Sequence, residues 1–181
     1  MRAQKTLEAF IKLLPAGSTV LDIGPGQGEH TARMERAGLD VKASMDWPVD
    51  SWRHAEQFDG AWCCHVLEHS PNPGMFLNAI RYSLKVGGVL GLVVPPMKRE
   101  LVDGHVTMWS PGLLLYHLVL AGFDCSRVNV DCYGYNIAVI VTKGALVDLE
   151  GLSRDCGDIE IVAKYMPGNV QHGDDMMGVG V

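Results

Sequence analysis

The sequence predicts a doubly wound α/β domain, with a mostly parallel sheet that ends in an antiparallel hairpin at one edge. Three observations carry this. Strand-like and helix-like segments alternate along most of the chain. A glycine-rich turn stands between the first strand and the helix that follows it. The run VLGLVV at 89–94 is apolar on both faces, as central parallel strands are. With 181 residues, 48% of them hydrophobic and 20% charged, the chain has material for one well-filled domain.

Leu7, Phe10, Ile11 and Leu14 recur at helical spacing, and Pro15-Ala16-Gly17 ends that helix. A β-rich run at 18–23 opens into Gly24-Pro25-Gly26-Gln27-Gly28. A helix over about 29–37 stops at Gly38, and a second strand over 41–45 leads to Asp46. The stretch 46–58 is polar, contains two tryptophans and has little periodicity. A strand returns at 60–64, followed by a loop at 65–71. Asn72-Pro73 starts a helix carrying Phe76, Leu77, Ile80 and Leu84, which Gly87-Gly88 is expected to close. Pro95-Pro96 stops the buried strand at 89–94. Ser110 as N-cap and Pro111 at the first position start a helix that ends at Gly122. Strands near 125–130 and 135–142 have no helix between them, only a turn near Tyr133-Gly134, so they are expected to pair antiparallel.

Residues 1–143 thus read as the domain and 144–181 as a C-terminal extension. Within the extension, Ile159, Val162, Tyr165 and Met166 make an apolar helical face that could pack across the domain or against a second copy in a homodimer. The last residues, 168–181, read as a loosely held tail.

A net charge of −6 supplies no basic footprint for nucleic acid. The apolar stretches are too short to span a bilayer, and the N-terminus leads into an amphipathic pattern rather than a signal peptide. The five cysteines, an odd number without CxxC spacing, argue against a disulfide framework and a zinc site. A cytoplasmic protein is expected.

The segment 20–28, VLDIGPGQG, is the most informative. Glycines allow positive φ and close approach of the backbone to a ligand. The spacing is GxGxG rather than the GxGxxG of dinucleotide folds, and Glu29 follows it. An acid there would repel a pyrophosphate, which argues against a nicotinamide-dependent oxidoreductase. It suits a ligand with no phosphate and a cationic amino-acid end.

These residues resemble the first motif of class I S-adenosylmethionine (SAM)-dependent methyltransferases. The run FDGAWCCHVLEH at 58–69 is similar to that family's fourth-strand segment, which lines the transfer site. LKVGGVL at 84–90 is similar to its helix-to-fifth-strand turn, and Gly104-His105-Val106, Trp109-Ser110 and Ala121-Gly122-Phe123 to a later segment of small-molecule and sugar methyltransferases. The resemblance implies a Rossmann-like fold, SAM as cofactor and S-adenosylhomocysteine as its product. It implies a donor site of Asp22, Gly24, Pro25, Gly26 and Gly28, with Asp46 on the ribose hydroxyls and Cys64, His65 and Val66 near the methyl. The family usually has a helix and a strand between the ribose acid and the fourth-strand motif; 47–57 is too short for both. Asp50 is then the candidate for the adenine amino group, and Trp47 or Trp52 for stacking on the ring.

Ligands of open α/β sheets bind beyond the carboxyl ends of the strands. His65 and His69 follow the fourth-strand motif and His105 the next strand. His105 is expected to act as general base, with His69 and Glu68 lining the pocket of a small-molecule or glycan acceptor. Glu68, His69 and His105 also suggest a metal, but no further ligand stands at convincing spacing and none is expected. The expected reaction is methyl transfer to a hydroxyl of a small molecule or sugar. The alternative is a degenerate methyltransferase fold serving as a binding or scaffold subunit, motivated by the short 47–57 segment.

Overall fold

The computed structural model describes residues 3–45, 55–153 and 158–168. Six strands form one sheet in the order β2-β1-β3-β4-β6-β5: β1 (Thr19–Ile23), β2 (Asp40–Ser44), β3 (Phe58–Cys64), β4 (Leu84–Val94), β5 (Val130–Tyr133) and β6 (Asn136–Thr142). The pairs β1–β2, β1–β3 and β3–β4 are parallel, whereas β6 runs antiparallel to both β4 and β5. The predicted fold class is borne out.

Strand alternation divides the core in two. Val20, Trp62, Val93 and Ala138 face α1 (Gln4–Lys12) and α2 (Glu29–Arg36), where Leu7, Phe10 and Met34 meet them. Leu21, Cys63, Leu92 and Val139 face the opposite layer of α3 (Pro73–Ser83), α4 (Pro111–Leu120) and α5 (Asp158–Ala163). Two helix starts form as their sequences dictate. The Asn72 side chain accepts from Met75 N (3.0 Å) and the Ser110 side chain from Leu113 N (3.2 Å), each with proline in the first turn.

Two local expectations are corrected, and one left open between two alternatives is decided. Gly87-Gly88 does not close α3, which ends at Ser83, so that Leu84 is already in β4. The two glycines instead build an irregularity in that strand, where the register steps from Phe58↔Leu84 to Gly60↔Val89. A Cβ at Gly88 would sit 2.9 Å from Lys85 O and 3.1 Å from Phe58 O, so only glycine lets the backbones approach there. The segment 125–130 is not a strand. Cys125 N donates to Tyr165 O (2.9 Å) and Ser126 N to Asp124 Oδ1 (2.9 Å), and β5 begins only at Val130. Finally, the helical face of the extension packs across the domain, with Val162 and Met166 buried in the α3/α4 core and Tyr165 against it, while Ile159 is half exposed.

Candidate active site

At the carboxyl end of β1 the chain dives under the glycine turn. Asp22 is buried, accepts from Thr31 Oγ1 of α2 at 2.5 Å, and has its carboxyl pushed up from the usual range by burial. Gly24 N donates to Ser44 O of β2 at 2.9 Å. Gly24 (φ 64°) carries no Cβ because one would lie 2.5 Å from Val66 Cγ2, so the turn seats directly on the loop after β3. Gly26 (φ 55°) and Gly28 (φ 77°) also need the left-handed conformation, yet a Cβ there would meet nothing within 4 Å.

That turn forms one wall of a cleft of about 450 Å³. Gly24, Pro25, Gly26 and Gln27 line it from the turn, Glu29 and His30 from the first turn of α2, and Cys64 and His65 from the end of β3. Of the residues expected at the donor, Gly24, Pro25, Gly26, Cys64 and His65 line this cleft. Asp22 lies beneath the turn, Gly28 is the N-cap of α2, and Val66 packs on Gly24. Asp46, Trp47, Asp50 and Trp52 lie outside the described residues.

His65 stands at the boundary between the cleft and the rest of the site. It holds a left-handed backbone (φ 56°), its Nε2 is 2.9 Å from Asn136 Oδ1, and its Nδ1 is 3.5 Å from Glu68 Oε1. Glu68, in the short 3₁₀ turn Leu67–His69, is buried, and the same oxygen is 3.9 Å from His69 Nε2. His69 Nδ1 lies 2.6 Å from Gly104 O. A carbonyl only accepts, so Nδ1 carries the proton and Nε2 is the basic nitrogen of the neutral ring. The His69 and His105 rings meet edge to face with centroids 5.1 Å apart.

What brings His105 here is the loop after β4. Val106 N and Thr107 N both donate to Glu68 O, at 2.9 and 3.1 Å, and Met97 N donates to Trp109 O at 2.9 Å, closing the loop at its base. His105 lines a second cavity of about 160 Å³ together with Lys98, Tyr135 and Met108. Partial desolvation, the His69 ring and the Lys98 charge hold its pKa below the ordinary histidine value. The His65 and Tyr135 rings, 6.0 Å apart, stand between cleft and cavity, since His65 lines the one and Tyr135 the other. The ligand-capable atoms of Glu68, His69 and His105 lie within 4.8 Å of one another, a spacing that a divalent cation would also accept, although the sequence reading expects no metal.

His30 and Trp62 are among the residues of the site that escaped the sequence reading. His30 lines the cleft, and its Nδ1 takes the indole N–H of Trp62 at 3.0 Å. Only the position of His30 directly after Glu29 could have hinted at it; the bond to Trp62 joins residues of two different elements.

The cleft fits the donor implied by the motifs. A turn with three left-handed glycines, two of them open on their Cβ side, leaves room for a bulky ligand against bare backbone, and an acid stands beside it in place of phosphate-binding charge. Fold and glycine turn together are those of a Rossmann-like α/β domain of the methyltransferase type. A family model described as a methyltransferase domain matches residues 2–118, and the chain belongs to that family. Among characterised relatives, it is 34% identical to the ubiquinone biosynthesis O-methyltransferase of Xanthomonas axonopodis pv. citri, over 45% of this chain and 44% of that protein. It is 32% identical to the protein of the same name from Psychrobacter cryohalolentis, over 48% of this chain and 43% of that one. The chain thus spans less than half the length of these relatives. Its fold is similar to that of Burkholderia thailandensis 1,6-didemethyltoxoflavin-N1-methyltransferase, at TM-score 0.63 and 18% identity over 78% of this chain and 77% of that one. A SAM-dependent methyltransferase from Archaeoglobus fulgidus gives TM-score 0.61 and 16% identity over 77% and 92%. Among the described residues no helix is long and apolar enough to cross a membrane.

Proposed function

We propose that the chain transfers a methyl group from SAM to a hydroxyl of a small molecule or sugar, with the donor in the glycine-walled cleft and the acceptor at Glu68, His69 and His105. The observation that carries this reading is the placement of the histidine pair. His69 and His105 stand together over a buried carboxylate, beside a cavity that His65 and Tyr135 separate from the donor cleft. The names of the relatives, both O-methyltransferases, favour a hydroxyl acceptor.

When bound, SAM supplies a methyl group on a sulfonium, whose leaving group is already activated. The work left to the protein is alignment, which is worth about 7–11 kcal/mol in well-oriented systems, and removal of the acceptor proton. The glycine turn, Cys64 and His65 orient the donor, while Asp46, Trp47 and Asp50 take the ribose and adenine. His105 accepts the hydroxyl proton at the edge of the acceptor cavity. His69, its tautomer set by Gly104 O, steadies the His105 ring and the acceptor, and Glu68 balances positive charge as the proton arrives. General-base assistance of this kind contributes on the order of 10²–10⁴-fold.

The test is methyl-labelled SAM presented with phenolic and sugar hydroxyl acceptors to the native protein and to His105→Ala. The variant should lose about 10²–10⁴-fold in turnover while binding SAM as before. Unchanged turnover would remove His105 from the chemistry.

A further inference from the structure

His65 adopts a backbone conformation unusual for a residue with a Cβ, and a residue from a hairpin far along the chain holds its ring. At the carboxyl end of β3 its φ is 56°, and its amide donates to Val93 O at 2.9 Å. Strain of this kind persists where surrounding contacts over-determine the conformation, and it gathers at functional sites. Because β6 runs antiparallel to β4, with Ile137 opposite Val94, the β5–β6 turn arrives at the same end of the sheet as His65. Asn136 in that turn has its Nδ2 at 3.1 Å from Tyr133 O. A carbonyl only accepts, so the amide NH2 faces Tyr133 and Oδ1 faces His65 Nε2, 2.9 Å away. The amide oxygen likewise only accepts, so Nε2 carries a proton whether the imidazole is neutral or charged. The other nitrogen, Nδ1, is thereby turned toward Glu68, with Oε1 at 3.5 Å.

One side chain of the hairpin thus selects which nitrogen of His65 is protonated and which way the ring points. The ring it holds lines the donor cleft, and the neighbouring Tyr135 lines the acceptor cavity. We infer that Asn136 is a positioning residue for the donor: acting through His65, it keeps the imidazole wall of the cleft in one orientation, and the donor seats against that fixed ring. The inference rests on the SAM reading of the cleft.

Two substitutions separate this role from simple support of the hairpin. Asn136→Asp keeps an acceptor for His65 Nε2–H and loses the donor to Tyr133 O, whereas Asn136→Leu loses both at similar volume. Tm should fall in each, because the bond to Tyr133 goes in each. In calorimetry S-adenosylhomocysteine should bind Asn136→Leu about tenfold more weakly, the upper range for one hydrogen bond, and Asn136→Asp within about threefold of the native protein. Proton–nitrogen correlation spectra of protein carrying isotope-labelled histidine, with His65 assigned by its absence in His65→Gln, read the ring directly. Nε2 should be protonated in the native protein and in Asn136→Asp, and the proton shared between the two nitrogens in Asn136→Leu. The native spectrum and Asn136→Asp carry the test even where Asn136→Leu does not fold. A bare Nε2 in the native protein, native affinity in Asn136→Leu, or equal weakening in both variants overturns the inference and leaves the SAM reading standing. A native protein that does not bind S-adenosylhomocysteine would defeat the SAM reading itself, while the His65 spectrum would still show whether Asn136 sets the ring.

Discussion

Substituting Gly24 and Gly26 separately by alanine divides the two jobs of the glycine turn. At Gly24 an alanine must adopt φ 64°, which costs an L-residue about 1–2 kcal/mol. Its Cβ would also stand 2.5 Å from Val66 Cγ2, and valine is stiff about χ1, so overpacking adds about 1–3 kcal/mol. The total, about 2–5 kcal/mol, corresponds to a fall of roughly 4–20 °C in Tm for a domain of this size. At Gly26 the backbone cost is similar (φ 55°), but a Cβ meets nothing within 4 Å, so Tm should fall by only about 2–8 °C. The open space at Gly26 belongs to the cleft, where the proposed function puts a methyl group in the path of the donor. Gly26→Ala should therefore stay folded and lose at least about tenfold in S-adenosylhomocysteine affinity, equivalent to roughly 1.4 kcal/mol. Thermal melts and calorimetry on the two variants give both readings. Equal Tm values would refute the tight contact with Val66, and native affinity in Gly26→Ala would refute the turn as the wall against which the donor lies.

Three further outcomes are expected. Gly91→Ala places a Cβ 2.6 Å from Trp62 Cε3 and 3.0 Å from Phe10 Cδ2, and should lower stability by about 1–3 kcal/mol in urea titration. His105 is held below the ordinary histidine value by partial desolvation, by His69 and by Lys98, so its proton-accepting form persists to lower pH and activity is lost as pH falls through that lowered value. Lys98→Met removes one of those causes, and the acid limb of the kcat profile should move to higher pH. The Cys125 thiol, pushed up to about 12 by burial, should remain unmodified by iodoacetamide at pH 8 in the native protein, where mass spectrometry of the digest would find exposed Cys132 alkylated.

The βα alternation, the capped starts of α3 and α4, and the glycine turn were all legible in the sequence, because each depends on neighbouring residues alone. Hydrophobic period selects strand or helix, Asn72 and Ser110 satisfy amides three residues on, and a turn that needs positive φ selects glycine. The misread elements are those where one local signal serves two structures. Gly87-Gly88 looks like a helix stop and is a strand irregularity, since what demands glycine there is the approach of carbonyl oxygens from Phe58 and Asp59 on β3. Likewise 125–130 has the residues of a strand, but the Cys125 amide is taken by Tyr165 after α5.

The candidate site divides along the same line. By itself the sequence determined the fold class, the glycine turn and the residue types available beyond the strand ends. Only the tertiary structure decided which of those residues meet. His105 joins His69 because the loop after β4 is tied by Val106 N and Thr107 N to the backbone of Glu68, and His30 takes the indole N–H of Trp62 on β3. Such contacts depend on how strands and loops distant in sequence come to lie side by side, and residue spacing along the chain carries no record of that.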